Sequence, residues 1–194
     1  MRKRNIFILV PILVILLLVY IKYREIPYED YQNHTLIEMQ KEMLKLNNDL
    51  ERVTSSYANK NDIDDTYKKN LYDCVGNLIY TEPSDLKFID VLSKCKDDYN
   101  KNLNLTYFNQ YWLMRDFNRY NGSYIPLEKI IKKTIKEVET YKMIKTTFKM
   151  RFNDERPHMF VSIDFRAANI QGYMLNRNMS AKVDAKTKEI YDIK

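Results

Sequence analysis

Glycine, histidine and cysteine are scarce in this chain, and their scarcity limits the chemistry that it can support. The 194 residues include only three glycines, two histidines and two cysteines. Three isolated glycines cannot form the glycine-rich loop that wraps a phosphate group. The histidines, His34 and His158, have no cysteine or carboxylate at metal-ligand spacing, so we predict no metal site and expect both on the surface.

The motifs of activated nucleophiles and of calcium loops are also missing. The sequence contains no G-x-S-x-G elbow. Asp62, Asp64 and Asp65 lack the glycine and glutamate that complete an EF-hand loop, so we interpret them as residues of a helix start, with Asp62 as the cap. We therefore predict that the protein is not an enzyme and has no cofactor. A catalytic site assembled from distant residues is the alternative.

The net charge of +6 comes from one end of the chain. The first 24 positions hold five basic residues and no acidic residue, which leaves 27 basic and 26 acidic residues after them. A near-neutral remainder does not favour nucleic acid as a partner. Within it, residues 25–124 carry a net −5 and residues 125–194 a net +6. Ordinary solvated surfaces often show such a charge asymmetry. It would also allow the two oppositely charged halves to dock on each other, or allow a basic face to contact a partner or anionic lipid.

Sixteen consecutive residues without a charge, from Ile6 to Ile21, favour a membrane-spanning segment. At ~1.5 Å per residue a helix of this length covers about 24 Å, and basic and tyrosine side chains on its flanks can extend it to a ~30 Å hydrocarbon core. No small-residue cleavage site follows, so we favour an uncleaved, single-pass signal anchor over a signal peptide. Membrane lipid is the first predicted partner, and it contacts the chain from Ile6 to Ile21.

Positive charge is denser before this segment than after it, which places the N-terminus inside. Residues 1–5 are then a cytoplasmic n-region, residues 6–21 the anchor in the inner (cytoplasmic) membrane, and residues 22–32 a juxtamembrane tether. Residues 33–194 form a single extracytoplasmic domain, either periplasmic or extracellular.

The first half of this domain, residues 33–122, has helical periodicity and is predicted to contain about four helices. Thr35 and Glu38 form a capping box, and apolar residues follow at alternating spacings of three and four. This stripe fits intramolecular packing of an amphipathic helix, and it also fits the seam of a coiled-coil homo-oligomer. The candidate seam residues are Leu36, Met39, Met43, Leu46, Leu50 and Val53.

The two cysteines fall on the apolar faces of two successive helices that are separated by Pro83 and Ser84. Cys74 precedes Pro83 by nine residues and Cys95 follows Ser84 by eleven, so an antiparallel hairpin brings the two sulfurs level. In an oxidising compartment we expect a disulfide between them. Two buried free thiols are the alternative.

An aromatic-rich stretch from Leu103 to Tyr120 is predicted as the fourth helix. Tyrosine, tryptophan and arginine are enriched at binding hot spots, so the stretch is a candidate partner surface. Aromatic residues at helical spacing also form cores, which is the alternative. The candidate contact residues are Tyr107, Tyr111, Trp112, Arg115 and Arg119.

After a helix that begins near Pro126, the apolar period changes to two. Alternation over residues 144–152, 161–167 and 175–183 predicts three strands, with turns at 153–157, 169–172 and 184–188 and a short fourth strand over 189–193. In the first strand, Ile144 and Phe148 are expected on the same apolar face. The fold class is α+β: an N-terminal transmembrane helix, a helical half, and a helix packed on an antiparallel meander of three or four strands with one wet face.

An anchor, a single folded domain and the lack of a catalytic motif favour a membrane-anchored interaction module with a protein partner. Such a module acts as an immunity or exclusion factor, or as an accessory subunit of an envelope complex. The first alternative is an oligomerising, membrane-active protein such as a holin-like lysis factor that uses the seam. The second is an envelope enzyme whose site is not evident from the sequence.

Overall fold

The computed structural model describes residues 26–45, 49–101 and 107–194, with residues 43–45 described by their main chain alone. The predicted n-region, the anchor at residues 6–21 and residues 22–25 of the tether lie outside these ranges. So do Leu46 and the side chain of Met43. Within the described ranges, no helix is both long enough and apolar enough to cross a membrane.

The described chain is α+β, as predicted, with six α-helices followed by a four-stranded antiparallel sheet. Short 3-10 helices at Tyr28–Asp30 and Val138–Thr140 precede the first helix and the first strand. The helices are α1 (Leu36–Lys45), α2 (Asp49–Lys60), α3 (Asp65–Thr81), α4 (Phe88–Asn100), α5 (Gln110–Met114) and α6 (Ile125–Thr134). The strands are β1 (Lys142–Arg151), β2 (His158–Ala168), β3 (Met174–Asp184) and β4 (Ile190–Tyr191).

Side-chain hydrogen bonds cap the N-termini of α1 and α3. The predicted capping box of α1 is present: the Thr35 N–H donates to Glu38 Oε2 at 2.8 Å, and the Glu38 N–H donates to Thr35 Oγ1 at 3.4 Å. At α3 the cap is Asp64, whose Oδ1 accepts from the Thr66 N–H at 2.8 Å. The prediction of Asp62 as this cap is wrong, because Asp62 has a left-handed backbone (φ 53°) in the preceding turn.

The helical half encloses a first core that contains the apolar stripe of α1 and α2. Leu36, Met39, Leu50 and Val53, which are the seam residues with described side chains, have no exposed surface and pack inside this core. Burying a side chain of this size contributes about 1.5–3 kcal/mol. Their burial favours the intramolecular interpretation of the stripe.

The predicted disulfide joins α3 to α4 in this core. Cys74 and Cys95 are bonded, their Cα atoms are 6.0 Å apart, and both residues are buried. The two cysteines therefore lie at disulfide distance, as the predicted antiparallel hairpin requires.

The sheet is a meander in the order β1-β2-β3-β4, and its turns lie where the sequence predicts them. One prediction for β1 is wrong. A bulge shifts the register between Met143 and Lys145, so Met143 pairs with the buried Phe165 on the apolar face. Because the bulge inserts one extra residue, Ile144 leaves that face and is 56% exposed.

The apolar face of the sheet and α6 form a second core. Leu127 and Ile131 of α6 are buried there with Val161 and Ile163 of β2. The opposite face of the sheet carries polar and charged side chains. The short helix α5 connects the two cores, because its residue Tyr111 is buried in the first and Leu113 in the second.

Candidate binding cleft

A cleft of about 760 Å³ lies where the helical half meets one end of the sheet. Helices α2 and α3, the segment from Tyr107 through α5, and the β3–β4 turn all contribute to its lining. Its volume is within the ~300–1,000 Å³ that is typical of ligand sites. Four of the lining residues are aromatic: Tyr72, Tyr107, Phe108 and Trp112. Five are charged: Glu51, Lys69, Asp73, Arg115 and Lys186.

Three of the five residues predicted as a partner surface line this cleft, namely Tyr107, Trp112 and Arg115. Tyr111 is only 1% exposed and belongs to the first core, as the alternative interpretation of the aromatic stretch holds. Arg119 is exposed but is not among the lining residues.

The helix predicted over residues 103–120 is shorter than expected. Residues 102–106 lie outside the described chain, and the described part is α-helical only over Gln110–Met114. Beyond it, Phe117 pairs with Tyr124 in an isolated β-bridge, and the Asn118 N–H donates to Ser123 O at 2.7 Å. The hydrogen bonds of this turn occupy the backbone N–H and C=O groups that would bond to each other within a longer helix.

Asn109 fixes the cleft by joining α5 to α3. Its Oδ1 accepts from the Trp112 N–H at 2.9 Å and caps α5, and its Nδ2 donates to Asp73 Oδ1 at 3.2 Å. The side chain lies directly against Gly76 of α3, where an added Cβ would be 2.1 Å from Asn109 Oδ1. Only glycine permits this approach, so the position of α5 depends on a residue in another helix.

Two lysines of the β3–β4 turn lie over aromatic residues at the cleft. Lys188 Nζ is 4.3 Å from the centroid of the Trp112 ring and 2.7 Å from Asp116 Oδ2. Burial lowers the pKa of Lys188, although the bond to Asp116 acts in the opposite direction. Lys186 Nζ is 5.9 Å from the centroid of the Phe108 ring. Cation–π contacts of this kind contribute about 0.5–1 kcal/mol at exposed sites and hold the turn against the cleft.

Three of the five charged side chains at the cleft form no ion pair among the described residues. Lys69 Nζ and Asp73 Oδ2 form an ion pair at 2.6 Å. In contrast, Glu51, Arg115 and Lys186 form no ion pair within residues 26–45, 49–101 and 107–194. Burial raises the pKa of Tyr72 to about 12, against the opposing effect of Arg115, so its hydroxyl is neutral at pH 7 and can donate a hydrogen bond.

An ionic cluster orders the turns at this end of the sheet. Arg156 Nε donates to Asp184 Oδ2 at 2.8 Å, and Arg156 Nη2 donates to Glu189 Oε2 at 2.6 Å. Asp184 Oδ1 also accepts the N–H groups of Lys186 and Thr187 at 2.9 Å each. Burial opposes ionisation of Asp184, but these hydrogen bonds outweigh it and hold its pKa well below the usual range.

The prediction of a surface position for His158 is wrong. His158 is 6% exposed, its Nδ1 lies 2.8 Å from Arg156 O, and its ring packs edge-on against Tyr191. His34 is half-buried. In the part of the chain that the structure describes, no group of three or more His, Cys, Asp or Glu side chains is arranged to hold a metal ion.

The other residues that build the cleft were hard to recognise from the sequence. A glycine inside a predicted helix lowers the stability of the helix by about 1 kcal/mol relative to alanine and indicates close packing, so the role of Gly76 could be inferred from the sequence. Glu51, Asn109 and Lys186 have no such sequence signal, because their proximity depends on how α2, α5 and the β3–β4 turn pack together.

No protein-family model matches the chain, and neither a curated protein nor a solved structure matches it significantly.

Proposed function

We propose that this chain is a single-pass membrane protein whose extracytoplasmic domain binds a partner protein in the aromatic cleft. It acts as an interaction module, either an immunity or exclusion factor or an accessory subunit of an envelope complex. One observation carries the proposal: four aromatic side chains, together with one anion and two cations that form no ion pair in the described chain, surround a cleft of about 760 Å³.

The residue types at the cleft favour a protein segment as the ligand. Tyrosine, tryptophan and arginine are the residues that most often dominate the binding energy of protein interfaces. Trp112 and Tyr107 offer large apolar surface at a small cost in side-chain entropy, and Arg115 offers a planar set of donors. A peptide segment with an apolar or aromatic anchor residue matches this lining.

The unpaired charges define the ends of such a segment. A partner cation next to Glu51 and a partner anion next to Lys186 each gain a charge-assisted hydrogen bond. Neither residue has to leave an ion pair within the described chain first. We therefore expect a segment that carries a basic and an acidic residue on either side of its apolar anchor.

Two observations support a position outside the cytoplasm. The disulfide between Cys74 and Cys95 is typical of proteins in oxidising compartments. Residues 6–21 provide an apolar length for one span, and positive charge is denser before them than after them.

A photo-crosslinking experiment in cells tests the proposal on the full chain. A photoreactive amino acid replaces Asn70, an exposed residue that lines the cleft, or replaces Tyr120, which is fully exposed and does not line the cleft. A partner protein should be crosslinked from position 70 and not from position 120. Trp112→Ala and Glu51→Lys should both remove the crosslink, whereas Tyr120→Ala should leave it unchanged.

Charge reversal on the recovered partner makes the result specific. If Glu51 faces a basic residue of the partner, then changing that residue to glutamate should restore binding to the Glu51→Lys variant. Crosslinks that are equal from both positions, or that persist in the Trp112→Ala variant, would show that the cleft is not the binding site.

The oligomerising alternative has less support from the structure. The four seam residues with described side chains are buried in their own chain and offer no surface to a second copy. We do not propose it as a second function.

A further inference from the structure

The outward face of the sheet is strongly basic. The strand register places six cations and two acids, Asp164 and Asp184, on this face, and Asp184 is already bonded to Arg156. Among the described residues, only Lys182 of these six cations is held in an ion pair, with Asp192 at 2.9 Å. The cations are Lys142, Lys145, Lys149, Arg151, Arg166 and Lys182.

Two of these cations lie directly opposite each other at the end of the sheet that is remote from the cleft. Lys142 of β1 and Arg166 of β2 are register partners, so their side chains leave the same face at neighbouring positions. Like charges in this arrangement destabilise a sheet. Lysines on β1 are accounted for by its place at the edge, where charge discourages pairing with another sheet. Arg166 is in an interior strand, so edge protection does not account for it.

Exposed apolar side chains surround the same end of the sheet. The β2–β3 turn presents Ile170 and Tyr173, which are 72% and 69% exposed, and the bulge of β1 presents Ile144. We call these three residues the apolar tip. The turn is ordered, because Asn169 Oδ1 accepts the N–H groups of Gln171 and Tyr173 at 2.9 Å each.

We propose that the apolar tip, together with Lys142 and Arg166, docks the domain on an anionic lipid surface. Ile170 and Tyr173 enter the boundary between headgroups and acyl chains, and the two cations bind lipid phosphates. Side chains that protrude from a turn form no groove for a peptide, and the single aromatic ring of Tyr173 does not make a stacking platform for successive bases. The choice of lipid as the occupant rests on the membrane anchor proposed for residues 6–21, which brings the same chain to a bilayer.

Docking at the tip positions the cleft for its partner. Strand β3 begins beside the tip at Met174 and ends at Asp184, next to the cleft residues of the β3–β4 turn. Its 11 residues span about 35 Å at ~3.3 Å per residue. A domain that rests on its tip therefore holds the cleft away from the bilayer, where a partner protein reaches it.

The test uses the full chain reconstituted in vesicles of phosphatidylcholine with or without phosphatidylglycerol. In a Trp112→Phe background, which removes the single native tryptophan, Ile170→Trp places a fluorophore at the tip. Tyr120→Trp is the matched control, because Tyr120 is fully exposed and far from the tip in the chain. Lipids brominated on their acyl chains quench a tryptophan only when it enters the bilayer.

Ile170→Trp should be quenched and blue-shifted in the anionic vesicles, and Tyr120→Trp should be unaffected. Each basic residue near an anionic surface contributes a factor of about five to the docking equilibrium constant, so Lys142→Glu with Arg166→Glu should lower that constant by about 25-fold or more. Both substitutions are on exposed residues, and far-UV circular dichroism checks that the fold is retained.

Two results would overturn the proposal. The first is equal fluorescence of Ile170→Trp and Tyr120→Trp in all vesicles. The second is a response of Ile170→Trp to an added oligonucleotide or to the crosslinked partner protein without any quenching by brominated lipid. The fluorescence in this test comes from position 170 and not from Trp112 at the cleft. The tip and the cleft are therefore tested independently.

Discussion

Replacing Gly76 by alanine should destabilise this protein, although the same change stabilises most helix interiors. Alanine in a helix is favoured over glycine by about 0.5–1 kcal/mol. Here the new Cβ would be 2.1 Å from Asn109 Oδ1, so the Asn109 side chain has to move. It then loses the cap of α5, which is worth about 1 kcal/mol, and its bond to Asp73, worth about 1.5 kcal/mol. We expect a net loss of about 1–2 kcal/mol.

A double-mutant cycle isolates this contact. Asn109→Ala removes the three atoms that come nearest to a Cβ at position 76, together with the cap and the bond to Asp73. In that background, Gly76→Ala should stabilise the protein by about 0.5–1 kcal/mol, as in an ordinary helix. The sign of the effect should therefore reverse between the two backgrounds, with a coupling of about 2–3 kcal/mol.

The assay is equilibrium unfolding of the full chain by urea in nonionic detergent micelles. Far-UV circular dichroism reports the helices, and fluorescence reports Trp112, whose N–H is bonded to Asn109. The free energies of unfolding follow from linear extrapolation. If Gly76→Ala is neutral or stabilising in the native background, the packing of Asn109 against α3 is not a constraint and the reasoning fails.

Three other substitutions follow from the described contacts. Changing Cys74 and Cys95 to alanine should lower the free energy of unfolding by about 3 kcal/mol, the chain-entropy value for cysteines 21 residues apart. In denatured cell lysate the native thiols should react with a large maleimide only after reduction, and labelling without reductant would contradict an oxidising compartment. Asp184→Asn should cost about 1.5–3 kcal/mol at pH 7, because the carboxylate accepts charge-assisted bonds. Since the folded pKa of Asp184 is lowered, its contribution is complete above the unfolded pKa of ~3.9 and is lost as pH falls towards the folded pKa. The unfolding free energies of native and variant protein should thus converge in acid, and parallel curves below pH 4 would refute this. Gly172→Ala should cost about 1–2 kcal/mol in the same urea titration, because Gly172 has φ of 83°, and no loss of stability would contradict a fixed β2–β3 turn.

The sequence was informative wherever a feature depends on neighbours along the chain. Alternation with period two located β1 to β3 and their turns, and the spacing of Cys74 and Cys95 around Pro83 predicted their bond. The capping box of Thr35 and Glu38 is likewise a contact between residues three positions apart. Such signals are local, so they do not require knowledge of the packing.

The errors have a common physical origin. Ile144 is exposed on the polar face of the sheet because of a bulge. The bulge depends on how β1 pairs with β2, and it cannot be recognised from the alternation of apolar residues in β1 itself. His158 is buried because Arg156 of the β1–β2 turn and Tyr191 of β4 come together beside it. In both cases a partner distant in sequence decides the environment of the residue.

The sequence by itself determined the helical and strand periodicity, the disulfide pair and an aromatic stretch rich in interface-type residues. Only the tertiary structure decided that Tyr111 of this stretch faces the core. It also decided that Trp112 faces the cleft, beside Lys186 of the β3–β4 turn. It also showed that Gly76 provides the space in which Asn109 attaches α5. The reason is that periodicity defines the faces of one element, whereas a site arises where several elements meet, and that meeting is set by the packing of the two cores together.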